Sequence, residues 1–255
     1  MQHISIKGVF LKKQLIMKNA LLLAAFTVAG LSSIAQGEKT IRDNNAQKRT
    51  VNGFHAIRIS NGIDLYLSQG EEAVAVSAVS VSDRDKIITE VENGVLLVHL
   101  PEEGIHWGSW GDRKLKAYVS VKQLDALKAS GGSDVYIESI LRADKLDLSL
   151  SGGSDLKGKM TVGELSIVQS GGSDIYLGGE VTRLSVQASG GSDFHGYELM
   201  AGDCHVEAHG GSDIQITANK ELSVSASGGS DVYYKGNAQV RDQHASGSSS
   251  ITHKG

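Results

Sequence analysis

Ser189-Gly-Gly-Ser-Asp193 is one of five identical copies of a pentapeptide. The others occupy residues 130–134, 151–155, 170–174 and 227–231, and His209-Gly-Gly-Ser-Asp213 is a sixth, nearly identical copy. Between Asp134, Asp155, Asp174, Asp193, Asp213 and Asp231 the chain advances 21, 19, 19, 20 and 18 residues, and a degenerate copy, Ser246-Gly-Ser-Ser-Ser250, follows 19 residues later. Self-similarity at a nearly fixed period of this size is the mark of a repeat architecture. Around each copy apolar and polar residues alternate, as in Leu184-Ser-Val-Gln-Ala-Ser189 and Leu222-Ser-Val-Ser-Ala-Ser227. That is the period of a half-buried strand, and it excludes a helix here. Every aspartate is followed by an apolar residue, namely Val135, Leu156, Ile175, Phe194, Ile214 and Val232, with Ile251 in the last copy. This column is expected to point inward.

A unit of this length cannot bury an apolar face alone but can by stacking on its neighbour. The expected fold is therefore all-β, a parallel β-helix (β-solenoid) of about 19-residue coils spaced about 4.8 Å apart, with equivalent side chains in ladders. The alternative is a sandwich or barrel of hairpins with Gly-Gly turns. It is disfavoured because hairpins do not require a constant register of identical turns. The solenoid frame puts Cys204 in the column of Leu184 and Leu222, as an inert core residue, and puts Gln169 where other coils have an inward alanine. Arg241 and Gln243 fall where the preceding coil has Leu222 and Val224, so the repeat region 126–255 is expected to end in a polar cap.

Upstream, residues 1–35 carry Lys7, Lys12, Lys13 and Lys18 but no acidic residue, and the apolar run Ala20–Leu31 ends in Ser33-Ile-Ala35. This reads as a signal peptide cleaved after Ala35, with Met17 giving an ordinary short start. The apolar run is too short for a permanent membrane span, and no second one follows, so no transmembrane segment is expected after cleavage. Without residues 1–35 the chain keeps 21 basic against 29 acidic residues, a net charge of −8, which argues against a nucleic-acid partner. The single cysteine rules out an internal disulfide. Residues 36–50 are polar and read as a flexible leader. From Val51 to residue 125, short alternating runs separated by Asn61-Gly62, Gln69-Gly70 and Asn93-Gly94 indicate a less regular β region.

In that region Phe54-His-Ala-Ile-Arg-Ile-Ser-Asn-Gly-Ile-Asp-Leu-Tyr-Leu-Ser-Gln-Gly70 and Val91-Glu-Asn-Gly-Val-Leu-Leu-Val98, followed by the glycine-aspartate turns, resemble the bacterial head GIN, auto-transporter adhesin family over roughly residues 51–235. The resemblance implies an exported, right-handed parallel β-helix of a Gram-negative bacterium without established catalysis. It carries over no functional residue.

Three sets of side chains are candidate sites. The aspartates 134, 155, 174, 193, 213 and 231 would stack on one edge. Each would accept hydrogen bonds from turn amides, with weak calcium binding as the alternative role; repeat-in-toxin calcium coils recur every nine residues, unlike these. Two residues after each aspartate, Tyr136, Lys157, Tyr176, His195, Gln215 and Tyr233 should point outward, either to contact a ligand or to pack on one another. The stretch Pro101–Lys114 holds the only proline and both tryptophans, and its His106, Trp107, Trp110, Asp112 and Arg113 suit a sugar ring or a protein partner, or cover the junction between the two regions. His205 and His209 are too far apart on a strand to share an ion, and no nucleophile elbow, zinc helix or phosphate loop is present.

These features lead to an exported, non-enzymatic binding module, adhesin-like, taking a glycan or protein at the envelope. It would be periplasmic, outer-membrane associated or secreted, would need no cofactor unless calcium, and homo-oligomers are compatible with it. The competing readings are a structural envelope protein that self-associates and a polysaccharide-active β-helix enzyme.

Overall fold

The computed structural model describes residues 43–101 and 114–255, so the signal-peptide reading and the tryptophan stretch from 102 to 113 lie outside the described residues. In chain order the elements are β1 (Gln47–Arg49), β2 (Ala56–Ile59), β3 (Asp64–Gln69), β4 (Ala73–Ser77), α1 (Val81–Arg84), β5 (Ile88–Glu92), β6 (Val95–His99), β7 (Lys116–Val121), β8 (Ala126–Ala129) and β9 (Val135–Ile137). Then come β10 (Leu141–Ser151), β11 (Leu156–Ser170), β12 (Asp174–Ala188), β13 (Asp193–Gly210), β14 (Asp213–Gly228), β15 (Asp231–Lys235), β16 (Gln239–Ala245) and β17 (Ser250–His253).

The fold is a parallel β-solenoid. Asp174 lies beside Asp193, Leu184 beside Cys204 and Cys204 beside Leu222, one coil apart each time. Cys204 is thus the buried core residue that the repeat frame implies, and burial pushes its thiol up to about 12. From β8 onward, chain order and stacking order coincide. Before β8 they do not. The coil β2–β3 is paired to β8–β9 on one side and to β6–β7 on the other, so the chain passes outside its own first coil and then returns. Two antiparallel strands close that end: β5 pairs with β6 through the Asn93-Gly94 turn, and β4 pairs with β7. Both residues of that turn have positive φ, 50° and 78°, as a tight hairpin requires.

The described part of the expected flexible leader, residues 43–50, is held in place, because β1 is an antiparallel edge strand on β4. Its polar side chains are held by hydrogen bonds to backbone and side chains. Arg49 Nη2 donates to the carbonyls of Arg84 and Ile87, Asn45 Nδ2 to that of Ala78, and Tyr118 Oη to Asp43 Oδ2 at 2.8 Å. A second correction concerns the last coil. A bulge between Val240 and Asp242 lets Val240, not Arg241, lie beside Leu222, while Gln243 does lie beside Val224. All of β16 is exposed, so the coil is a polar terminus with one displaced register.

The core is one continuous stack. The column after the aspartates is fully buried from Val135 to Val232, and it extends back to Leu65. A second inward column is polar: Ser133, Ser154, Ser173, Ser192, Ser212 and Ser230, the fourth residue of each turn, are all fully buried. Each buried hydroxyl must be satisfied. Ser133 and Ser154 accept from the amides of Ile63 and Ser133, whereas Ser192, Ser212 and Ser230 donate to carbonyls three residues back, at 2.9, 3.1 and 2.9 Å. The turn changes form with the hydroxyl. Gly152 and Gly153 both have positive φ, but from Gly171 onward only the first glycine of each pair does. Identical pentapeptides therefore adopt two conformations, which glycine permits. Gln169 lies inward, fully buried, with Nε2 3.4 Å from the Ser173 carbonyl and Oε1 lacking a partner.

Candidate functional site

Parallel stacking turns each outward position of the repeat into a column, and two such columns run side by side after the turns. The first is acidic. Its amide hydrogen bonds run between coils: Asp155 N donates to Asp134 Oδ1 at 3.1 Å, Asp174 N to Asp155 Oδ1 at 3.2 Å and Asp213 N to Asp193 Oδ1 at 3.1 Å. At the last coil Ser250 donates to Asp231 Oδ1 through both its amide and its hydroxyl. The column begins one coil earlier than the repeat suggests, because Asp64, after the Asn61-Gly62 corner, sits beside Asp134. Burial, and next the charges of neighbouring carboxylates, hold Asp64, Asp174 and Asp213 above the usual carboxylate range. Among the described residues no three His, Cys, Asp or Glu side chains converge as a metal-holding group.

The second column contains Tyr136, Lys157, Tyr176, His195, Gln215 and Tyr233, as the repeat implies, and is extended by Tyr66 and Tyr118, which lie outside the repeat. Its order through the solenoid is Tyr118, Tyr66, Tyr136, Lys157, Tyr176, His195, Gln215, Tyr233 and Thr252. Neighbours stack along it. Tyr66 lies 5.2 Å from both Tyr118 and Tyr136, and Tyr176 lies 4.3 Å from His195. Lys157 Nζ sits 5.1 Å from the Tyr176 ring centre and Lys254 Nζ 4.5 Å from that of Tyr233. Several ring faces are thus occupied by neighbours, as expected of aromatic pairs on an open sheet. Tyr233 Oη donates to Asp231 Oδ2 at 3.3 Å, which ties the columns together. The Asp231 charge, with burial second, raises the Tyr233 hydroxyl, while burial leads for Tyr66, Tyr136 and Tyr176. All four phenols are therefore neutral donors at physiological pH.

Tyr66 had a partial signal in the sequence, and Tyr118 had none. Asn61-Gly-Ile-Asp-Leu-Tyr66 has the same order of turn, aspartate, apolar residue and tyrosine as Gly131-Gly-Ser-Asp-Val-Tyr136. Of the tryptophan stretch, His106, Trp107, Trp110, Asp112 and Arg113 all fall outside the described residues. Its ends are placed: β6 and β7 flank it as β2 and β3 flank Asn61-Gly62, and Leu100 N donates to Asn61 Oδ1 at 3.1 Å. The stretch therefore takes the chain position that the glycine turns hold in other coils. His205 and His209 serve separate contacts, with Glu207 at 3.1 Å and Ser227 at 2.8 Å.

Fold and surface together define a repeat β-solenoid whose candidate site is a pair of parallel side-chain columns. The chain belongs to the family described as "putative auto-transporter adhesin, head GIN domain", whose model matches residues 53–238. Among solved structures it is similar to a "putative adhesin" from Bacteroides fragilis, with TM-score 0.76 and 19% identity over 82% of this chain and 96% of that one. It is also similar to a "putative adhesin" from Parabacteroides merdae, with TM-score 0.64 and 18% identity over 82% and 95%. A "putative lipid binding protein" from Parabacteroides distasonis has TM-score 0.62 and 17% identity over 82% and 96%. At these identities the likeness is one of fold. No curated protein matches the chain. No helix among the described residues is long and apolar enough to cross a membrane.

Proposed function

We propose that the chain is an exported, adhesin-like module that binds a glycan or protein at the cell envelope and catalyses no reaction. The observation that carries this reading is the unbroken outward column from Tyr118 to Tyr233, with the carboxylate column alongside. Phenol, ammonium, imidazole and amide groups recur at coil spacing, so an extended ligand lying along them meets a hydrogen-bonding group at every rung. Because several ring faces are already covered, this surface recognises through polar groups more than through ring stacking. Membership of an adhesin family supports both the binding role and an envelope or extracellular location. Short connections between the coils from β10 onward leave little chain from which to wall a catalytic cleft.

The test is binding of the purified chain to immobilised glycans and matrix proteins, with and without calcium. It is run beside a folded Tyr66→Ala/Tyr136→Ala/Tyr176→Ala variant and a Trp107→Ala/Trp110→Ala variant. A signal lost in the tyrosine variant supports the column, and one lost only in the tryptophan variant moves the site to that stretch. Calcium dependence would give the aspartates a metal-binding role. One observation favours the structural alternative: β16 is exposed throughout and, among the described residues, pairs only with β14. A chain silent on every array that self-associates through this edge would be a structural protein.

A further inference from the structure

On the sheet before the turns, the outward side chains of successive coils form a different feature, a shallow trough of about 490 Å³ that runs across the coils of β10 to β14. Its floor is the column Ser166, Ser185, His205 and Ser223. The three serine hydroxyls have no hydrogen-bond partner among the described residues, in contrast to the buried serine column, whose hydroxyls are taken up inside the fold. Each is half-buried and offers one donor and two acceptor sites. One wall is a column of charges, Lys145, Glu164, Arg183, Asp203 and Glu221. Two ion pairs order it along the axis, Arg183 with Glu164 and Arg241 with Glu221, which leaves the Asp203 carboxylate without an ion-pair partner among the described residues.

We infer that this trough binds a linear, uncharged polysaccharide lying along the solenoid axis. Three features select that occupant. The first is periodicity: coils repeat about every 4.8 Å, whereas an extended peptide presents equivalent side chains only every 6.8 Å or so and drifts out of register with the rungs. An extended β-1,4-linked pyranose chain turns over at each ring and repeats after two rings, close to two coils, so rings of one orientation meet the Ser185 and Ser223 hydroxyls on either side of His205. The second is charge. Lys145, Arg183 and Arg241 stand against Asp147, Glu164, Asp203 and Glu221, a net of −1 that disfavours uronate or sulfated chains. The third is chemistry: free hydroxyls with carboxylate and guanidinium groups on one flank give each sugar hydroxyl a donor and an acceptor. The inference concerns a face distinct from the tyrosine column and goes beyond the function proposed for it.

Titration calorimetry of the full chain with cellohexaose tests it, with hexagalacturonate as an anionic hexamer of similar length. The expected result is measurable binding of cellohexaose, with hexagalacturonate at least about tenfold weaker. Ser185→Trp, which fills the floor while keeping a good strand residue, should weaken cellohexaose binding about tenfold or more, and Lys159→Ala, at an exposed position outside the trough and both columns, should change it by less than about twofold. Far-UV circular dichroism checks the fold, and should Ser185→Trp misfold, Ser223→Trp carries the same expectation. The inference is overturned by absence of cellohexaose binding at millimolar concentration, by binding that survives both floor substitutions, or by equal or tighter binding of the anionic hexamer. None of these outcomes bears on the array result for the tyrosine column.

Discussion

Gly190 and Gly191 are adjacent, chemically identical and exposed, yet alanine should act on them with opposite sign. Gly190 has φ of +78°, and a Cβ there would lie 3.0 Å from the Gly171 carbonyl oxygen and 3.1 Å from the Gly171 nitrogen in the coil below. The left-handed conformation costs a residue with a Cβ about 1–2 kcal/mol. The contact adds to this, because backbone locked in the ladder cannot swing aside, so Gly190→Ala should lose about 2–3 kcal/mol. Gly191 lies outside the left-handed region, and the nearest atom to a Cβ is 3.8 Å away. Its alanine fits the native backbone and narrows the unfolded ensemble, a gain of about 0.4–1 kcal/mol. At roughly 2–4 °C per kcal/mol for a chain of this size, Gly190→Ala should melt about 5–10 °C lower and Gly191→Ala about 1–3 °C higher. Thermal and urea unfolding followed by far-UV circular dichroism reads both. If the two substitutions act alike, or Gly191→Ala is the more harmful, the single-glycine turn form assigned from Gly171 onward is wrong.

Other consequences are as direct. Phe194 is the largest fully buried side chain among the described residues, and Phe194→Ala should cost about 3–5 kcal/mol in denaturant unfolding. Gln169→Leu removes a buried carbonyl oxygen that lacks a partner and should stabilise by about 1–2 kcal/mol in the same assay. Cys204 should resist thiol reagents in the native chain and react only on unfolding, since burial, with the Asp203 charge second, holds its thiol near 12; fast native labelling would contradict the burial. Asp174 and Asp213 carboxyls are raised by burial and then by flanking aspartates, so the folded state binds their protons more readily than the unfolded chain does. Their contribution to stability therefore grows as pH falls through the raised values and is lost as pH rises through them. Asp193→Asn keeps an acceptor for the Asp213 amide and removes the shared charge. It should equal or exceed the natural chain in stability at pH 7, with any advantage shrinking on acidification, whereas Asp193→Ala should lose about 1 kcal/mol.

The coil register was legible because it depends on local signals that recur: a glycine turn, an aspartate, an inward apolar residue and strict alternation. Cys204 could be placed among leucines from that alone, and so could Tyr136, Tyr176 and Tyr233 in one outward column. What was not legible is where pairing is decided by distant partners. Nothing in Val95–His99 announces that it stacks on the far side of Ala56–Ile59. Nor does Gln47–Arg49 show that it will find β4, since its stabilising contacts are carbonyls 35 and 38 residues away in sequence. The Val240 bulge escaped a fixed-period alignment for the same reason: one inserted residue shifts the register without altering the composition. Tyr66 was within reach through its own Asp-Leu-Tyr order, but Tyr118 follows no glycine turn, and only the path of β7 beside β3 brings it into the column. The serine trough was hidden because alternation predicts which residues face outward, not which of those remain short and unpaired.

The measurement that bears most directly on the account is the removal of one coil. Asp174 and Asp193 occupy equivalent places in adjacent coils, so deleting residues 175–193 joins Asp174 to Phe194 and keeps the aspartate and inward columns in register, with the bulge of the β12–β13 pairing passing to the new β11–β13 pair. A solenoid stabilised by nearest-neighbour stacking should tolerate this. The shortened chain should keep a β circular dichroism spectrum and unfold cooperatively, at somewhat lower denaturant concentration. A deletion of ten residues from the same point should not fold, because it puts the outward Ser185 and Gln187 in the inward places of Ile175 and Leu177 and turns Val186 out. If the one-coil deletion fails to fold, or if both deletions behave alike, the parallel stacking from which the outward columns and the trough arise is contradicted.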